Sequence, residues 1–82
     1  MEGKAKMKRR NLVRTANGLY VVVDTSAIEN GYETMVFCSD KYGSISNRAY
    51  GRPEDEAWYY TETEAETGHK AMVEKWKKNV VV

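Results

Sequence analysis

Cysteine, proline, histidine and phenylalanine each occur once in this 82-residue chain. A lone Cys38 excludes an internal disulfide, so nothing in the cysteine content implies an oxidising compartment. One histidine and one cysteine fall short of the roughly four ligands of a structural zinc site, so no metal is expected. Glycines form neither a phosphate-binding loop ending in Lys-Ser or Lys-Thr nor a GxGxxG turn, which argues against a nucleotide enzyme. The acidic runs Glu54-Asp55-Glu56 and Glu62, Glu64, Glu66 lack the alternating ligands and glycine of a calcium loop. No apolar run reaches membrane-spanning length, and no apolar core follows the basic N-terminus as in a signal peptide. These absences set the expectations of no cofactor, no membrane, a cytoplasmic location and no enzymatic activity.

What is present is an ordinary globular composition with segregated charge. Thirteen Lys and Arg against twelve Asp and Glu give a net charge of +1, so the chain as a whole is no cationic nucleic-acid binder. Lys4, Lys6, Lys8, Arg9, Arg10 and Arg14 nevertheless face Glu2 alone in the first fourteen residues, whereas the stretch from Asp24 to Glu66 is acidic. The six cations are the candidate nucleic-acid-binding residues. Residues 1–9 show no hydrophobic periodicity and are expected to form a flexible basic tail.

Tyr59 to Lys78 carries the clearest pattern. Ala65, His69, Met72, Val73 and Trp76 share one face at about 100° per residue. Thr61 and Glu64 have capping-box spacing, with Tyr60 as the expected staple. Glutamates crowd the start and lysines the end, as the helix dipole favours, and Glu66–Lys70 and Glu74–Lys78 have the spacing of ion pairs. Upstream, Asn11–Thr15, Leu19–Val23, Tyr32–Cys38, Ser44–Tyr50 and Ala57–Tyr60 read as short strands. Asn17-Gly18, a loop from Thr25 to Asn30-Gly31, and the turn Asp40–Gly43 separate them.

The expected fold is α+β: an antiparallel meander of three to five strands with one C-terminal helix packed on one face. Residues 10–79 form the single domain, and 80–82 an apolar tail without an obvious partner. One helix covers one sheet face, yet Leu19–Val23 and Met35–Phe37 are apolar on both. Exposing such a row forgoes roughly 1.5–3 kcal/mol per large side chain. The second face is therefore expected to be covered by the N-terminal segment, a second copy as in a homodimer, or a target.

His69 sits in the middle of the helix's apolar arc. Its functional reading is a general base or switch, here outweighed by a histidine hydrogen-bonded to the sheet. Gly68 beside it permits close approach at about 1 kcal/mol in propensity. Cys38 with His69 lacks a third positioned group. Aromatics interleaved with arginine suit a protein hot spot or base stacking, and Tyr42, Arg48, Tyr50 and Arg52 are the expected protein-binding residues.

Tyr32-Glu33-Thr34-Met35-Val36-Phe37, the Tyr60-Thr61 entry to the helix, Glu64-Ala65-Glu66, Gly68-His69 and Met72-Val73-Glu74-Lys75-Trp76 fall in an order and spacing that resemble small uncharacterised proteins of phages and prophages of Gram-positive bacteria. The resemblance spans a little over half the chain and carries no functional residues with it. It implies phage origin and an intracellular site of action. The function expected on these grounds is that of an accessory protein binding a host or phage protein, such as an inhibitor of host defence. The alternatives are a nucleic-acid-binding protein and an oligomeric sponge for a nucleotide signal.

Overall fold

The computed structural model describes residues 7–81. Four strands form one antiparallel sheet in the order β1-β2-β3-β4. They are β1 (Lys8–Arg14), β2 (Tyr20–Ile28), β3 (Gly31–Ser39) and β4 (Asp55–Tyr59). A short α1 (Asn47–Tyr50) lies between β3 and β4, and α2 (Glu62–Lys77) follows β4. The α+β meander with its C-terminal helix is therefore the fold.

Helix α2 begins where its sequence says it should. Thr61 Oγ1 accepts the Glu64 N–H at 3.1 Å, and Glu64 returns a carboxylate to the Thr61 N–H at 3.2 Å, closing the capping box. Tyr60 does not staple this end: it is 86% exposed. Ala65, His69, Met72 and Trp76 are buried and Val73 half-buried. The two glutamates of the expected Glu66–Lys70 and Glu74–Lys78 pairs meet other cations. Glu66 meets Arg9 of β1 at 3.6 Å, and Glu74 meets Lys77 at 3.0 Å.

Val13, Val21, Val23, Val36, Met72 and Trp76 form the core under α2. Trp76 directs its indole N–H to Asp55 Oδ2 (3.2 Å), which also takes Lys75 Nζ at 2.6 Å. Asp55 is thus a half-buried anchor for the helix. Burial pushes its carboxyl up, but the Lys75 and Trp76 hydrogen bonds outweigh this and hold it below the usual carboxylate range.

The other sheet face corrects two expectations. Ser44–Tyr50 is not a returning strand; its second half is α1, capped by Ser46 Oγ accepting the Ala49 N–H at 3.1 Å. Serine as N-cap before Asn-Arg-Ala outweighs the weak strand tendency of a stretch with one β-branched residue. The chain's own β3–β4 connection then covers part of this face, while Leu12 stays 44% exposed. Gly43 lies near Leu12 and Val22, which a side chain there would just reach, and the Tyr50 ring lies 5.1 Å from that of Phe37. Val22 is 1% exposed as a result.

Three further boundaries move. The expected loop from Thr25 is mostly strand, since β2 continues to Ile28 and Ile28 pairs with Gly31 across Glu29-Asn30. The expected tail is not free along its described part. Met7 is buried, its carbonyl accepts the Ala27 N–H at 3.2 Å, and Lys8 and Arg9 belong to β1. At the other end, the Asn17 side chain binds both backbone groups of Val81 (2.7 Å to its carbonyl, 3.3 Å from its N–H), so the apolar tail has a partner. Residues 1–6, with Lys4 and Lys6, and Val82 lie outside the described residues.

Candidate binding surfaces

His69 is 3% exposed and engages both ring nitrogens inside the fold. Nε2 lies 2.7 Å from Asn11 Oδ1, and Nδ1 lies 2.7 Å from Thr25 Oγ1, which in turn meets Thr34 Oγ1. An amide oxygen only accepts, so Nε2 carries the proton. Nδ1 then accepts the Thr25 hydroxyl, and Thr25 accepts that of Thr34. Burial, aided by the Arg9 charge, pushes the His69 pKa below its ordinary value and keeps the ring neutral. This chain joins β1, β2, β3 and α2 and leaves no nitrogen for substrate. Thr34, at its end, is four residues from Cys38 along β3, about 13 Å at the strand rise. Burial, with the Glu54 charge, pushes the Cys38 thiol up. The thiol is thus protonated and remote from the imidazole, the opposite of an activated nucleophile.

The four expected protein-binding residues all lie on the β3–β4 connection. Tyr42 is 79% exposed on the Asp40–Ser44 turn, with the Lys41 ammonium 5.3 Å above its ring. That turn is held by Asp40 Oδ1, which accepts the N–H groups of Tyr42 (2.8 Å) and Ser44 (3.0 Å). Arg48 and Arg52 are exposed and make no salt bridge among the described residues. Tyr50 is partly committed to Phe37, and its hydroxyl lies beside Arg10. Of the four, Tyr50 alone is thereby placed next to one of the described β1 cations, Arg10.

Those cations divide by the pleat of β1. Arg9 points to the helix side and pairs with Glu66; Arg10 points to the opposite side and binds Asp24 Oδ2 at 2.6 Å. Lys8 and Arg14 share the Arg10 side by alternation and make no salt bridge among the described residues.

A further surface lies beside helix α2. A sheet of four strands is about 14 Å between its outer strand axes, whereas a helix is about 10 Å across. Helix α2 therefore leaves a groove along each side. On the β4 side the groove measures about 480 Å³, with Tyr59, Thr67, Gly68 and Ala71 along it and Trp58 and Tyr60 at its rim. Gly68 is what lets the Tyr59 ring in: a methyl built there would lie 2.2 Å from the ring. Trp58 is 59% exposed. Strand alternation predicts Trp58 and Tyr59 on opposite sides, as found. It does not reveal that β4 is an outer strand, and that position is what exposes Trp58.

No protein-family model, curated protein or solved structure matches the chain.

Proposed function

We propose that this chain is a non-catalytic phage or prophage accessory protein that acts inside the cell by binding a host or phage protein, as an inhibitor of host defence does. The observation that carries the binding reading is the exposed Trp58 and Tyr60 on the rim of the β4–α2 groove. Large aromatics held on a rigid edge supply contact area at low entropic cost and dominate protein interfaces. A non-catalytic role is supported by the engagement of both His69 nitrogens and by the protonated, distant Cys38. Phage origin rests on the resemblance in the sequence.

Affinity capture from a bacterial lysate, run in parallel with the wild-type chain and a Trp58→Ala/Tyr60→Ala variant, tests the reading. A protein retained by the first and lost by the second supports it. Identical captured sets from two equally folded baits would overturn the assignment of this groove.

One contact favours a second reading. The Tyr50 hydroxyl beside Arg10 places an aromatic next to the β1 cations, with Arg48 and Arg52 nearby in sequence, an arrangement that suits nucleic acid. It requires binding that weakens steeply with salt. A mobility-shift assay at low salt that shows no complex ends it.

A further inference from the structure

The sheet's two outer strands are finished differently. In an antiparallel ladder, alternate residues turn both backbone groups towards the partner strand. The Ala27 N–H donates to the Met7 carbonyl at one end of the β1–β2 pair, and the Thr15 N–H donates to the Leu19 carbonyl at the other. The register between them is unbroken. Odd-numbered residues of β1 thus face β2, and Lys8, Arg10, Leu12 and Arg14 direct their amides and carbonyls away from the sheet. No described group bonds those amides.

On β4 the outward residues are even-numbered too, but the chain closes the amides on either side of Trp58. The Glu56 N–H donates to Asp55 Oδ1 at 2.9 Å, and beyond the strand the Tyr60 N–H donates to Glu64 Oε1 at 3.3 Å. Trp58 lies between two amides that are already satisfied. Edge strands in native proteins are blunted in such ways against unwanted pairing. β4 is blunted by its own carboxylates; β1 carries charge and leaves its hydrogen-bonding groups open.

We propose that the open edge of β1 receives an acidic, extended segment of a partner protein as a fifth strand. This goes beyond the aromatic groove, which lies at the opposite edge of the sheet. Main-chain pairing supplies the affinity in this mode, and alternate side chains supply the specificity. On one side of the added strand, acidic residues meet Lys8 and Arg14, neither of which has an acidic partner among the described residues. On the other side, the added strand runs along the groove of about 370 Å³ between β1 and α2, where the half-buried Val73 lies among Arg9, Asn11, Glu66, Lys70 and Glu74. Uncharged residues suit that side, because the groove's charges include both signs. The preferred sequence alternates acidic and uncharged residues.

The same cations exclude competing occupants. A second copy's β1 brings like charges face to face, which is destabilising. A second copy's β4 arrives with its Glu56 amide already bonded. Nucleic acid finds Arg9 and Arg10 occupied by Glu66 and Asp24 and makes no use of the open backbone.

The test uses synthetic nine-residue peptides and amide NMR of the labelled chain. An alternating Glu–Val peptide is expected to bind saturably and to shift the amides of Lys8, Arg10, Leu12 and Arg14, more weakly as salt rises. A Lys–Val peptide is expected not to bind. Leu12→Pro removes an outward amide while sparing the β2 ladder, and should weaken the Glu–Val peptide by about tenfold, the worth of one hydrogen bond. Should that variant unfold, Lys8→Glu/Arg14→Glu serves instead, with preference switching to the Lys–Val peptide. Trp58→Ala/Tyr60→Ala should leave the peptide's affinity unchanged, which separates this site from the aromatic groove. Absence of shifts at the four outward amides with millimolar Glu–Val peptide, shifts confined to β4 and α2, or tighter binding of a single-stranded oligonucleotide would each overturn the proposal.

Discussion

His69 shows how one residue can hold a fold this small together. Replacing it with alanine leaves the Asn11 amide and the Thr25 hydroxyl without the ring that satisfies them, and opens a cavity beneath α2. His69→Ala is expected to cost about 2–4 kcal/mol in urea unfolding. The pH dependence has a definite sign. The folded-state pKa lies below the ordinary 6.5, so the unfolded chain takes up a proton first as pH falls. The stability contributed by the neutral ring is complete above about 6.5 and is lost progressively below it, down through the folded value. The urea midpoint of the wild-type chain should fall between pH 7.5 and 5.5, and His69→Ala should flatten that slope. Gly68 offers a second check at this scale. Alanine there gains about 1 kcal/mol of helix propensity but meets the Tyr59 ring. Gly68→Ala should stabilise a Tyr59→Ala background and give less, or the opposite sign, with Tyr59 present. The coupling would appear in a double-mutant cycle.

At the scale of elements, α2 was legible almost to its ends because its signals are local. The cap, the charge gradient and the 3.6-residue spacing all lie within the helix itself. Thr61→Ala should therefore cost about 1 kcal/mol, read as a lower urea midpoint with an unchanged m-value. Where two local signals competed, the reading failed. Ser44–Tyr50 has alternation enough for a strand, but Ser46 caps a helical turn, and Tyr50 finds an apolar partner in Phe37 rather than in a ladder. Lys8 and Arg9 looked like tail because charge hides strand periodicity. They are held by backbone pairing to Thr25 and Ser26, which no composition reveals.

For the whole molecule, the decisive fact is which strands are outermost. β1 and β4 flank the sheet, so the exposed tryptophan, the cationic edge and the two grooves beside α2 all follow from strand order. Asp55 stands at a junction of these features, since it accepts from Trp76 and Lys75 and also closes the Glu56 amide. Asp55→Ala should destabilise by about 1–3 kcal/mol, because the buried indole N–H loses its acceptor. It should also increase light scattering on heating relative to an equally destabilised core variant, because the β4 edge is then open.

The sequence by itself determined the fold class, the capped helix and the buried arc that holds the one histidine, since each depends on periodicity or on groups a few residues apart. It also set the candidate cations and aromatics by type. The tertiary structure alone decided which of them are available: Arg9 and Arg10 meet carboxylates, Tyr50 folds onto Phe37, and Trp58 stays exposed. It also decided how the second sheet face is covered and which edge remains open. Those outcomes rest on contacts between residues distant in the chain, where packing area and hydrogen-bond satisfaction outweigh local preference.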